Sequence, residues 1–310
     1  MFQFSDDNKR YHTLYYYNKH TYGGRIYKAA IDAGLTCPNV DGTKGCGGCI
    51  FCDSGSGYFT KDSALTITEQ FRAEEERIRR KCSNAMIQAY FQAHTNTYCS
   101  CERLSAMLSE AVECGAHSVS VATRADCLDE EKVRILASQP IPVTVELGLQ
   151  SVHDVTAERI NRCHTFSDFL QGYELLKKYK VRVCVHIING LPEETEHEML
   201  ETAQTIGKLR PDGIKIHLLH VIRGTSLHQM YDRGEYTPLE KDEYIDIVVR
   251  QLELLPPETV IERITGDGDK TKLIAPLWSA DKISVLGGID KRQSEMDSWQ
   301  GKLFGGEVDA

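Results

Sequence analysis

No stretch of this 310-residue chain approaches the roughly 18 unbroken apolar residues of a membrane helix. Its opening, MFQFSDDNKRYHTLYYYNKH, also lacks the apolar run and small-residue cleavage site of a signal peptide, so a cytoplasmic protein with no membrane contact is expected. A basic surplus is missing too. The 36 Lys and Arg face 45 Asp and Glu, a net charge of −9 with a pI near 5.7, which is not the footprint of a dedicated nucleic-acid binder. Internal repeats and low-complexity linkers are absent, so one large domain with trimmings is expected rather than a solenoid or a string of modules. What the chain does have is cysteine. Eleven thiols, an odd number, fit a disulfide framework poorly in a reducing compartment, and clustered ones read as metal ligands or reactive thiols. Cys82, Cys114, Cys127, Cys163 and Cys184 stand alone and read as small buried hydrophobes.

Runs rich in β-branched residues mark six strands: GRIYKAAI, MIQAYFQA, HSVSVAT, IPVTVELGL, VRVCVHIING and DGIKIHLLHV. Helical periodicity fills the gaps, at 64–82 behind a Thr66/Glu69 capping box and at 101–114, 129–138, 153–162, 166–180 and 195–209. Strands alternating with helices imply right-handed βαβ units around a parallel sheet, with the apolar runs buried on both faces. The expected fold is therefore α/β, and ligands gather at the carboxyl ends of such strands. Beyond residue 221 come helices at 225–233 and 240–254, a short strand TVIERI, a Gly/Asp-rich loop TGDGDKTK and a frayed last dozen residues.

The loop after the first strand, TCPNVDGTKGCGGCIFCDSGSGY, holds Cys37, Cys46, Cys49 and Cys52. A structural zinc site would need all four in a crowded cage, although such sites usually take two separated pairs. Cys46, Cys49 and Cys52 imitate a bacterial ferredoxin run, but the fourth Cys-Pro is missing. A [4Fe–4S] cluster on three thiolates, with one iron left open, is the third reading. The glycines at 42, 45, 47 and 48 let the loop fold tightly enough for its N–H groups to reach cluster sulfides.

CPNVDGTKGCGGCIFC resembles the cluster loop of the radical S-adenosylmethionine (SAM) superfamily, in the variant of the YhcC/YtqA-like (MnmL-type) family, which is distantly similar to the elongator catalytic subunit. The resemblance runs from about Tyr22 to Trp278 through YFQAHTNTY, VATRADCL, VELGLQS, INGLPEET and IKIHLLHVIRGT. It implies a partial (β/α)6 TIM-like barrel over 22–221, an N-terminal extension over 1–21 and a C-terminal helical extension over 222–310 packed on the barrel. It implies cluster ligands Cys37, Cys49 and Cys52, with Cys46 standing where the family often has a basic residue. For SAM it implies Gln150 on the ribose and Arg162, twelve residues on, at the carboxylate, a guanidinium fork for an anion. Phe51 falls beside the adenine, GLPEET from Gly190 offers backbone to it, and Glu146 and His186 are further cofactor candidates. His186 replaces an acid found in related oxygen-independent coproporphyrinogen oxidases.

His94, Thr95, Arg124, Asp126, Lys215, His217 and His220 project from predicted strand ends and are candidate substrate groups. The implied reaction is reductive cleavage of SAM to a 5′-deoxyadenosyl radical that abstracts hydrogen, with an electron from a reductant such as flavodoxin or ferredoxin. The implied substrate is a tRNA wobble uridine, with 5-carboxymethylaminomethyl converted to 5-aminomethyl and Lys215, Arg223 and Lys272 as phosphate contacts. The acidic balance opposes that substrate, leaving a small molecule or protein as the alternative, and a non-enzymatic iron–sulfur electron-transfer protein as another. Oligomeric state is not legible in the sequence.

Overall fold

The computed structural model describes residues 2–53, 60, 64–266 and 268–305. Its centre is one parallel sheet: β1 (Ile26–Ile31), β2 (Met86–Phe91), β3 (Ser118–Thr123), β4 (Val143–Gln150), β5 (Arg182–Asn189) and β6 (Gly213–Leu218) pair in chain order. The two-residue β7 (Val221–Ile222) leaves the sheet, and β8 (Val260–Arg263) returns to pair with β6 as a seventh strand, one more than expected. The sheet curls, with β1 and β8 as its edge strands, far enough for lumen side chains of the two to approach, Lys28 Nζ of β1 lying 3.9 Å from Glu262 Oε2 of β8. This is a partial TIM-like barrel.

Helices cover its outside. After α1 (Leu14–Tyr22) come α2 (Ile67–Arg79), α3 (Cys101–Glu113), α4 (Glu130–Ala137), α5 (Asp154–Arg159), α6 (Phe166–Lys178) and α7 (Glu196–Leu209). Capping boxes fix three starts, Thr66/Glu69, Thr165/Asp168 and Thr195/Glu198, each satisfying otherwise orphan N–H groups. The start of α7 at Glu196 places Pro192, Glu193 and Glu194 in a turn before the helix rather than in its first turn.

Strand alternation sorts the residues. Val143, Val145, Leu147 and Leu149 of β4, and Val183, Val185 and Ile187 of β5, face outward into the apolar core beneath the helices. Thr144, Glu146, Gly148 and Gln150, like Arg182 and His186, face the lumen. The inner face is thus polar, contrary to the expectation of strands apolar on both sides. A lumen closed by side chains from seven strands supplies the partners that buried charge requires.

The rest of the chain seals the amino end. Ile261 N donates to His12 O at 2.8 Å, and Tyr17 of α1 lies under the Arg182 guanidinium at 4.9 Å from its ring centroid. α8 (Ser226–Asp232), α9 (Lys241–Leu254), β9 (Leu273–Ala275), which pairs with β7, and α10 (Lys282–Glu295) follow. Residues 299–304 are packed, not frayed. Gln300 N donates to Arg10 O and its Nε2 to Pro256 O and Thr259 O, while Leu303 N donates to Glu253 O; the final five residues lie outside the described ones. Among the solitary cysteines, Cys114, Cys127 and Cys184 are buried as expected, but Cys82 and Cys163 are only half-buried.

Candidate active site

The thiol loop crosses the carboxyl end of the barrel. It is wound by its own backbone: Val40 N and Asp41 N donate to Cys37 O, Lys44 N to Pro38 O, Gly48 N to Asn39 O and Cys52 N to Cys49 O. Gly47 and Gly48 have φ of 79° and 75°, which side-chain-bearing residues rarely adopt. Gly45 is required by space, because a Cβ there would fall 2.2 Å from Asn39 Oδ1 and 2.6 Å from Cys163 Sγ. The result points Cys37, Cys49 and Cys52 into one large cavity and leaves Cys46 exposed outside it.

This donor set fits a thiolate-bound cluster. Burial pushes the Cys49 thiol up to about 12, neighbouring Cys52 adds to the rise, and Arg124 only partly opposes it, so a Cys49 thiolate needs added positive charge of the kind iron supplies. Among the described residues, no three His, Cys, Asp or Glu side chains converge on one point as the ligands of a single metal ion do. The thiols line a wall of the cavity instead.

Across the mouth, β4 ends at Gln150, with φ of 69°, and a Cβ at Gly148 would lie 2.9 Å from its amide nitrogen. Arg162 stands behind this bend and does not line the cavity. Its Nη1 donates to Leu149 O and Ser151 O and its Nε to His164 O, while Nη2 is buried with no hydrogen bond among the described residues. Arg124 borders the cavity, donates to Arg162 O and Cys163 O, and grips Asp126 through two 2.9 Å contacts. Burial raises the Asp126 carboxyl, but the bonds from Arg124 and Lys44 outweigh it and bring it to about 2. Asp126 is thus behind the wall. Gly190 is also outside the cavity, packed against Leu239 with its carbonyl bonded to Tyr236.

The floor is a charged network. Glu146, fully buried, accepts from Ser120 (2.8 Å), Tyr90 (2.7 Å), Lys28 (3.2 Å) and Lys215, and contacts His186 Nε2 at 3.0 Å. Burial raises this carboxyl, yet Lys215 and Lys28 hold it well below the usual range. Lys215 is itself buried, so it is corrected from a surface phosphate contact to a lumen residue. His94, Thr95, His186, His217 and His220 all border the cavity, as does Phe51. His94 Nδ1, His217 Nε2 and His220 Nε2 are buried without a partner among the described residues. His220 explains part of TGDGDKTK, since a Cβ at Gly266 or Gly268 would come within 2.9 Å of its ring.

Sequence reasoning passed over Tyr90, Gln92, Asn39 and Arg263, which also border this space. For Tyr90 and Gln92 the available signal was the alternation along MIQAYFQ, which puts every second residue in the lumen; Asn39, in the thiol loop, had no such signal.

Fold and site together define an α/β-barrel enzyme whose reactive chemistry is carried by a thiolate-bound cofactor at the barrel mouth. The chain belongs to the radical SAM superfamily. Residues 42–206 match the Radical SAM superfamily model and residues 211–295 the Radical_SAM C-terminal domain. It is 42% identical to the YtqA protein of Bacillus subtilis over 98% of this chain and 95% of that one, and 32% identical to the YhcC protein of Escherichia coli over 88% and 89%. It is therefore a YhcC/YtqA-like radical SAM enzyme, with a [4Fe–4S] cluster and SAM as cofactors. A more distant similarity, 28% identity over 54% of this chain and 31% of the other, is to the tRNA uridine(34) acetyltransferase of Methanocaldococcus jannaschii. The structure of Methanocaldococcus infernus Elp3 superposes with a TM-score of 0.70 at 19% identity, over 89% of this chain and 64% of that one, a likeness of fold.

Proposed function

We propose that the protein acts on a wobble uridine of tRNA, converting 5-carboxymethylaminomethyl to 5-aminomethyl. What carries the choice of substrate is the core it shares with the tRNA uridine(34) acetyltransferase. When bound, the cluster and SAM supply the 5′-deoxyadenosyl radical, with the electron coming from a flavodoxin or ferredoxin. The chain's own part is positional. Cys37, Cys49 and Cys52 would hold the cluster, Gln150 would meet the SAM ribose and Phe51 its adenine, and Arg162, behind the wall with its Nη2 making only a 3.8 Å ion pair to Asp154, would be the cation for the carboxylate.

With Lys215 buried, the cations proposed to meet RNA phosphate are Arg223, Lys270 and Lys272, beside the loop that packs on His220, with Lys272 exchanging its 2.9 Å ion pair to Asp53 for the phosphate. The protein's net charge is −9, so this local patch has to carry the electrostatic attraction. The test incubates reduced enzyme and SAM with tRNA bearing 5-carboxymethylaminomethyl uridine, following 5′-deoxyadenosine and the nucleoside profile. Faster deoxyadenosine release with conversion of the nucleoside supports the reading. No acceleration and no conversion, with a competent electron donor present, sends it back to a small-molecule or protein substrate.

A further inference from the structure

His186 lies on β5 in a register row with Gly148 of β4 and Lys215 of β6. Its Nε2 is 3.0 Å from Glu146 Oε2. The carboxylate is ionised between Lys28 and Lys215, so it can only accept, and the imidazole must place its proton on Nε2. That leaves a lone pair on Nδ1. Among the described residues the ring's one hydrogen bond is that of Nε2, and the ring borders the cavity. The groups facing the ring are Glu146, Lys215, His217 at 5.2 Å between ring centroids, and Arg263. Burial and Lys215 keep the imidazole neutral below its ordinary range, against the opposing pull of Glu146.

An oriented, neutral imidazole with a carboxylate at its back is the arrangement of a general base. We propose that His186 is a catalytic base that takes a proton through Nδ1 from an alkylammonium group of the substrate, with Glu146 as its positioning residue. The inference rests on the tRNA reading, because a 5-carboxymethylaminomethyl uridine carries a secondary amine that is protonated at neutral pH. A hydrogen atom leaves the adjoining carbon more readily when that nitrogen has its lone pair free to stabilise the carbon radical. In the step itself, the substrate N–H bond breaks and Nδ1–H forms. The electron pair stays on the amine nitrogen, no electron is exchanged, and the imidazolium, favoured by Glu146 but opposed by burial and Lys215, passes its proton on to water.

The test uses cluster-loaded enzyme with SAM, reductant and tRNA bearing 5-carboxymethylaminomethyl uridine between pH 5.5 and 8.5. H186Q keeps a donor for Glu146 but has no base. It should retain its iron, lose at least about 100-fold in nucleoside conversion at pH 7, and recover as pH rises and free amine accumulates. A rate within threefold of wild type, or an unchanged acid limb, overturns the base. Nitrogen-15 NMR of histidine-labelled oxidised protein, with H186Q identifying the resonance, gives a readout independent of turnover. A neutral ring with its proton on Nε2 at pH 7 is expected, and an Nδ1–H tautomer or an imidazolium overturns the dyad. Failure of the wild-type enzyme to convert this tRNA overturns the substrate reading and the alkylammonium assignment with it, which the NMR result separates from failure of the dyad.

Discussion

Arg162 shows how much organisation one buried cation can carry. Three carbonyls, of Leu149, Ser151 and His164, converge on it at the bend where β4 becomes the wall of the mouth. Removing it leaves Leu149 O with only the Ser151 N–H and takes the side-chain donor from the Ser151 and His164 carbonyls, at about 1–3 kcal/mol for each group left unpaired that water cannot reach. Arg162→Ala should therefore lower the unfolding midpoint and weaken SAM binding together while iron content stays intact; unchanged SAM affinity in a folded variant would remove Arg162 from the cofactor site. The thiols make an equally sharp prediction. Cys37→Ala, Cys49→Ala and Cys52→Ala should each abolish the visible absorption of anaerobically prepared protein, whereas Cys46→Ala, exposed and outside the cavity, should keep it. Loss of iron in the Cys46 variant and retention in the Cys37 variant would reverse the ligand assignment.

Between elements, the join that matters is the one tying the thiol loop to the segment between α5 and α6. Asn161, with φ of 54°, donates from its amide to Cys46 O (3.1 Å) and Gly48 O (2.8 Å), and its own carbonyl accepts from Asn39 Nδ2 at 2.5 Å. Ile50 N adds a bond to Ile160 O. The loop that holds the cluster is thereby fixed to the loop that carries Arg162. Asn161→Ala removes two of these bonds, about 1–3 kcal/mol, so the cluster should still assemble but bleach several-fold faster under chelator, and an unchanged bleaching rate would show that the clamp is not what holds the loop. Most elements were legible in the sequence because each is locally consistent, as with the Thr66/Glu69 box and the CPNVDGTKGCGGCIFC loop. The lumen was less so. TVIERI reads as a strand, yet its place beside β6 depends on a return past α8 and α9 that no local pattern encodes. Lys215 in GIKIHL looks like a solvent lysine until register brings Glu146 and Tyr90 against it.

At the scale of the whole molecule, a polar lumen has a thermodynamic consequence that reaches beyond catalysis. Several histidines are buried where a second positive charge is unwelcome. Burial, then Arg162 and Arg124, push His164 down to about 3, and burial with Lys282 pushes His220 down to about 4, while His217 is held well below its usual range by burial and His186. In the unfolded chain each would titrate near 6.5. Below that value the unfolded state binds protons that the folded state refuses, so stability is fully present above about pH 6.5 and falls as pH drops toward the folded values. From pH 7.5 to 5.5 a histidine kept neutral in the fold costs about 1.4 kcal/mol, and His164 and His220 together roughly 2–3. Chemical unfolding of the cluster-loaded protein at the two pH values should show at least this loss, since His217 adds its share, and His164→Gln should recover about 1.4 kcal/mol of it because its own share no longer titrates. If the wild-type and His164→Gln proteins lose stability equally over this range, His164 is not among the groups that set the acid limit. Glu146 is shifted in the same direction, but from a carboxylate's ordinary value, so its contribution is lost only below about pH 4.5, as pH falls toward its depressed folded value, and the two sources separate on the pH axis.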